Sequence, residues 1–449
     1  MGEAAILEAG VHGLAAVFES GAETPLTVFE AYAARIKAHN PKLHAFLDLR
    51  LEAAREEAAA SAARWAGGAP LSSIDGAPIG IKANIGVAGL PRHAGIGAYR
   101  DEIATADAPV VANLKSAGAV VLGILNMHEG ALGATTDNEA FGRTQNPWRE
   151  GFTPGGSSGG SGAAVAAGLC AAALGSDTMG SVRIPSAYCG CVGHKPATGL
   201  VSIEGVLALS PTLDHVGPHG RQAADLPPLL EAMSGAAIPA GPADLPGLRI
   251  GVWTGAGEIE LEPAVASGFD AACEKLSKTG ASLTPAEPPD YRYGRDRRAG
   301  LLISEVEAAE IHAERLAVDP EGFTPLFRKL MAWGAARPQA EKDAAYARVP
   351  ALADAARALF ETVDFVVAPT APQTAFSFEQ DAPANQADFT AWADFAGLPA
   401  TAVYAGQSAD GLPLSLQVIG PRGEDAATLA AAAAIEAVLG RAPLPPGFI

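Results

Sequence analysis

The chain has 449 residues, 49% of them apolar and 18% charged, with four cysteines and a net charge of −19. That composition excludes a disordered protein and a disulfide-stapled secreted scaffold, and its acidity opposes contact with nucleic acid or an anionic membrane. No Lys or Arg precedes Arg35, so a signal peptide is not expected, and the most apolar run, residues 162–175, falls short of the roughly 18 to 20 residues of a membrane span. The expectation is a cytoplasmic protein with reduced thiols.

In chain order, Thr24-Pro25 reads as an N-cap with proline at the first helical position. Leu26, Phe29, Tyr32, Ala33 and Ile36 then form an apolar stripe ending near Asn40, and the first 65 residues read as helical throughout. Residues 78–81 predict a buried strand with Lys82 at its end, 108–117 a helix and 120–125 a second strand. After a glycine-rich loop, 162–167 opens a helix and 169–174 returns as a strand. Strands alternating with helices predict an α/β fold with a substantially parallel sheet. Residues 217–289 turn rich in Pro, Gly and Ala and read as a surface insertion holding a strand over 248–253 and a helix over 262–278. Within the helical stretch that follows, Arg292, Arg295, Arg297 and Arg298 surround Asp296 and read as a solvated face. Late strands are expected at 364–368, 399–403 and 414–419, before an alanine-rich helix over 425–439.

Ser157 and Ser181 lie in one glycine-rich stretch, with Lys82 upstream. A serine hydroxyl becomes a nucleophile at neutral pH when a neighbouring base takes its proton, and closely packed small residues let backbone N–H groups converge on an oxyanion. Phosphate binding fits less well, because Ser161 follows Gly160 where a P-loop has lysine. The dinucleotide pattern fails at Val165. His215 and His219 have a zinc-pair spacing, but Gly217-Pro218 would break the helix needed to align them; His128-Glu129 and Cys189-Gly-Cys191 lack partner motifs. No metal and no cofactor are expected.

These residues carry a family resemblance. Gly76-Ala-Pro-Ile-Gly-Ile-Lys82-Ala-Asn, Gly142-Arg-Thr-Gln-Asn-Pro-Trp148, Pro154-Gly-Gly-Ser-Ser-Gly-Gly-Ser161, Asp177-Thr-Met-Gly-Ser-Val-Arg-Ile-Pro-Ser186, Cys189-Gly-Cys-Val-Gly-His-Lys-Pro196, Gly397-Leu-Pro399 and Asp410-Gly-Leu-Pro-Leu-Ser-Leu-Gln417 occur in the order of the amidase signature family, which the chain resembles over most of its length. The resemblance implies a single α/β domain around a mixed, twisted sheet flanked by helices. Within residues 1–449 it implies a helical region at 1–65, a catalytic core at 76–215, a variable part shaping the substrate pocket at 217–360, and the C-terminal part of the sheet at 361–449. Ser181 would be the acyl-forming nucleophile, Ser157 the bridging serine after a cis Gly156–Ser157 peptide, and Lys82 the base. The N–H groups of Thr178, Met179, Gly180 and Ser181 would form the oxyanion hole, Ala131 would line the substrate site, and Asp177 and Arg183 would pair behind the turn.

Three departures from the family pattern stand out: Ala83 where an aspartate often follows the lysine, Met179 for a frequent glycine, and Tyr404 for a frequent proline. The implied activity is cofactor-free hydrolysis of small-molecule amides through an acyl-enzyme, extending to anilides, esters and carbamates. An alternative is the amidase subunit of a glutamine-dependent tRNA amidotransferase, against which the acidic charge and Ile184, standing where that subunit usually has glutamine, both count. A catalytically inactive ligand-binding regulator is a third reading. The N-terminal helices offer a surface for a homodimer.

Overall fold

The computed structural model describes residues 2–239, 241 and 243–448. The strands are β1 (Phe46–Leu49), β2 (Pro78–Lys82), β3 (Val120–Leu125), β4 (Ala172–Asp177), β5 (Val192–Lys195), β6 (His215–Gly220), β7 (Arg249–Val252), β8 (Ser282–Pro285), β9 (Phe365–Pro369), β10 (Ala400–Gln407) and β11 (Pro413–Ile419). The helices are α1 (Glu3–Glu19), α2 (Pro25–Leu43), α3 (Leu51–Ala66), α4 (Pro109–Ser116), α5 (Gly159–Ala166), α6 (Arg183–Cys189), α7 (Leu226–Ser234), α8 (Pro263–Ser277), α9 (Tyr293–Ile311), α10 (Ala313–Val318), α11 (Pro325–Ala335), α12 (Gln339–Phe360), α13 (Ala391–Phe395) and α14 (Asp425–Leu439).

One sheet joins all eleven strands in the order β1-β3-β2-β4-β6-β5-β10-β11-β9-β7-β8. Pairing is parallel within β3-β2-β4 and β9-β7-β8 and antiparallel through the middle, so the sheet is mixed rather than substantially parallel. The two parallel blocks are the ones joined by helical crossovers, which the alternating pattern detects. The antiparallel centre is built from β5, β6, β10 and β11, whose short or glycine-bearing sequences carry a weaker signal.

The Thr24 cap forms as expected: its side chain accepts from Thr27 N at 3.1 Å while Thr27 Oγ1 accepts from Thr24 N. The helix runs past Asn40 to Leu43 because the Asn40 side chain turns the exit, accepting from Ala45 N and Phe46 N. That turn launches β1, which interrupts the expected all-helical start and pairs antiparallel with β3. The strand after the glycine-rich loop lies three residues later than expected, at Ala172–Asp177, and this brings Asp177 to its end.

The stretch 217–289 is not peripheral. It begins inside β6, wedged between β4 and β5, and its β7 and β8 extend the far edge of the same sheet. A Gly-Pro pair in a central strand reads as a breaker, yet β5 pairs β6 only at Val192↔Gly220 and Gly193↔His219, so the ladder on that side ends before Pro218. Among the described residues no helix is long and apolar enough to cross a membrane.

Candidate active site

Parallel pairing of β2 with β4, with Ile81 beside Leu174, brings Lys82 and Ser176 together at the C-terminal ends of adjacent strands, where α/β sheets place their chemistry. The Lys82 amine is fully buried. It donates to Ser157 Oγ and Ser176 Oγ at 2.8 Å each, and to the Ser176 carbonyl at 3.3 Å. Burial draws its pKa down to about 7, against the opposing pull of Asp214 and Asp177. Among the described residues no carboxylate bonds the amine: Ala83 is apolar and buried, and Asn84 instead donates to Ser176 Oγ at 3.1 Å.

Ser157 follows a cis peptide from Gly156. Its neighbour Ser158 stitches the glycine-rich loop to β4, donating through Oγ to the Ser176 carbonyl and accepting from Ser176 N. Ser181 lies just beyond β4, with its carbonyl accepting from Ser158 N at 3.2 Å. Among the described residues no direct hydrogen bond joins Ser181 Oγ to Ser157 Oγ.

The turn before Ser181 is held from beneath by Asp177. One carboxylate oxygen accepts from Gly180 N, the other from Val182 N at 3.0 Å and Arg183 N at 3.4 Å. Gly180 therefore does not join the expected oxyanion hole, because its N–H is already taken by Asp177. The N–H groups of Thr178, Met179 and Ser181 have no intramolecular partner among the described residues. Position 180 also demands glycine: φ is +126°, and a Cβ there would sit 2.3 Å from Thr390 Oγ1.

Arg183 pairs with Asp177 as expected, but it also donates to Asp394, the Thr390 carbonyl and Gln417 Oε1, all in a buried cluster. Burial alone would raise Asp177, but Arg183 reverses this and holds it well below the usual carboxylate range. Asp394 is pushed well above that range by burial and by the charge of Asp177. Replacing Arg183 by leucine would leave two buried carboxylates facing each other, and Arg183→Leu is expected to lose about 3 to 5 kcal/mol of unfolding free energy in a urea titration. A loss under about 1 kcal/mol, the range of an exposed ion pair, would contradict this account of the cluster.

Ser181 opens onto a 130 Å³ cavity walled by Ala131, Leu132, Met179, Ile184, Leu209 and Leu301, with Arg297 also on its lining. A larger cavity of 530 Å³ shares the wall segment Leu132, Gly133 and Ala134. Met179 both lines the smaller cavity and packs against α9, where a Cβ on Gly300 would lie 2.4 Å from its sulfur. A flexible thioether can yield. Gly300→Ala is thus expected to swing Met179 into the cavity, raising KM for substrates that fill it while the midpoint of thermal unfolding moves by a few degrees at most; an unchanged KM would mean that Met179 has another way out.

The sequence profile of the Amidase family matches residues 27–429. The chain belongs to the amidase family. A glutamyl-tRNA(Gln) amidotransferase subunit from Anaeromyxobacter sp. (strain K) is 35% identical over 490 residues, covering 98% of this chain and 97% of that one. A solved amidase structure superposes with a TM-score of 0.88 at 32% identity, covering 95% of this chain and 99% of the other. Peptide amidase from Stenotrophomonas maltophilia gives a TM-score of 0.84 at 29% identity, covering 98% of each.

The features absent from the sequence reading of this amidase-family chain are the partners of the expected residues. Ser176 holds Lys82, Asp214 accepts from Thr178 Oγ1 at 2.6 Å, and Thr390 donates to the Met179 carbonyl at 2.6 Å. Ser176 was within reach, being next to Asp177; Asp394 and Thr390, more than 200 residues from the turn, gave no local signal. His215 and His219 sit on a strand, bonded to Thr198 and Ser186, and among the described residues no cluster of three or more His, Cys, Asp or Glu could hold a metal.

Proposed function

We propose that the chain hydrolyses the C–N bond of a small-molecule amide through an acyl-enzyme, with Ser181 as nucleophile, Ser157 as relay and Lys82 as base. The observation that carries this reading is the Lys82 amine: buried, drawn down to about 7 and 2.8 Å from Ser157 Oγ, behind the serine that faces the cavity. A neutral amine accepts the proton of Ser157 as Ser157 takes that of Ser181. Ser181 Oγ then attacks the carbonyl, with the hydroxyl contact between the serines closing as substrate seats. In this reading the N–H groups of Thr178, Met179 and Ser181 take the developing oxyanion, and Asp177 and Arg183 hold the turn that carries them. The protons return to the departing nitrogen, and water repeats the cycle to release the acid. The chemistry draws on side chains, backbone N–H groups and water. Anilides, esters and carbamates present the same carbonyl and fall within its reach.

The curated relatives favour a second setting for the same chemistry. They are named as subunits of glutamyl-tRNA(Gln) amidotransferase, which points to glutamine as the amide and to work alongside partner subunits. The structural likeness to a peptide amidase supports the hydrolase setting. Fluorophosphonate labelling followed by mass spectrometry, combined with an ammonia-release assay on glutamine, aliphatic amides, an anilide, an ester and a carbamate, separates the readings. An adduct on Ser181 with ammonia from simple amides supports the hydrolase. Release from glutamine only supports the amidotransferase setting, and a folded protein that never labels would be a binding module.

A further inference from the structure

We infer that Arg297 reads a carboxylate on the substrate, so that the cavity at Ser181 takes amides that carry an acid group. This rests on the reading of Ser181 as nucleophile. Of the four arginines expected on a solvated face, Arg292 and Arg295 are exposed, and Arg298 lies over the Trp333 ring and pairs with Glu305. Arg297 departs from the expectation: one helical turn before Leu301, it shares the inner face of α9 and lines the same cavity as Ser181. Its side chain is 18% exposed.

The remaining polar side chains of that wall are already engaged. Thr178 Oγ1 donates to Asp214; the Gln386 amide donates to the Pro383 carbonyl and accepts from Tyr188. Arg297 Nε donates to Asp388 Oδ1, which anchors the guanidinium by one edge. Among the described residues no acceptor takes Nη1 or Nη2. A guanidinium stays charged at every working pH, and two parallel N–H groups match a carboxylate. Among the described residues Arg297 is the one charged side chain on that cavity's lining, whose remaining walls include Ala131, Met179, Ile184 and Leu301.

The test pairs each acid with a neutral isostere. On the acyl side, succinamate is compared with 4-methylpentanamide; on the amine side, N-acetylglycine with N-isobutylacetamide. Wild-type protein should prefer the carboxylate in one arm by about 10- to 100-fold in kcat/KM, the arm identifying which end of the substrate faces Arg297. Arg297→Leu should bring that ratio toward one, and Arg297→Lys should restore part of it as a point charge without the fork. Equal or better turnover of the neutral partner in both arms overturns the inference while the assignment of Ser181 stands. Calorimetry with the Ser181→Ala protein reads binding apart from turnover. Carboxylates that bind no better than their isosteres overturn the inference, whereas carboxylate binding lost in Arg297→Leu but unaccompanied by wild-type turnover supports it and counts against the nucleophile.

Discussion

Ser181→Ala is expected to lower amide turnover by at least about 10,000-fold, because a residue that forms the covalent intermediate has no substitute within the relay. The same change should leave stability within about 0.5 kcal/mol, since the Ser181 hydroxyl makes no hydrogen bond among the described residues and its removal strands no partner there. The two measurements belong together: kcat at saturating substrate, and the midpoint of a urea titration. Ser157→Ala behaves differently on the second axis, because it removes the acceptor of a buried Lys82 N–H and should cost about 1 to 3 kcal/mol in addition to activity. Ser181→Ala protein that is folded and within about a hundredfold of wild type would transfer the nucleophile to another residue.

The contrast between these two serines also explains how far the sequence could be read. The strands Pro78–Lys82 and Val120–Leu125 were legible to within a residue because each is a short apolar run bounded by turn residues, and a parallel pair needs a crossover that shows as a helix between them. The motif residues were legible because glycine, serine and lysine at those positions have few other uses together. What joins them is carried by residues of no distinctive type: Ser176 in a run of small residues, Thr390 and Asp394 on and beside a five-residue helix far downstream. The expected four-donor oxyanion hole loses Gly180 for the same reason, since whether an N–H is already bonded depends on where the Asp177 side chain turns. Arg297 was hidden by its company: an arginine among arginines reads as solvated face, and only the phase of α9, packed on α11, α12 and α13, turns that one toward the cavity.

Lys82→Ala should reduce kcat/KM by about 100- to 10,000-fold, the span of a general base, and Lys82→Arg should not recover it, because a guanidinium cannot give up its proton. The pH profile carries the sharper test. The base works only as the neutral amine, so with a pKa near 7 activity should rise with pH through that value and level off above it, rather than fall as it would if a charged ammonium were required. The buried histidines facing the site from neighbouring elements do not account for such a limb: burial pushes His128 down to about 4 and His215 and His219 to about 3, so they are already neutral at pH 7. Lys195 is a competitor, also buried and drawn down to about 8, but its amine donates to the Pro196 carbonyl; Asp394, pushed well above the usual carboxylate range, is another, held by Arg183 behind the turn. Asp214 separates the two lysines, because it is the leading charge that raises Lys82, whereas Asp394 leads the charges that raise Lys195. Asp214→Asn, which keeps an acceptor for Thr178 Oγ1, should therefore move the rising limb to lower pH. A limb that stays in place would assign it to another group, and a rate that is flat between about pH 5 and 9 would remove Lys82 from the relay.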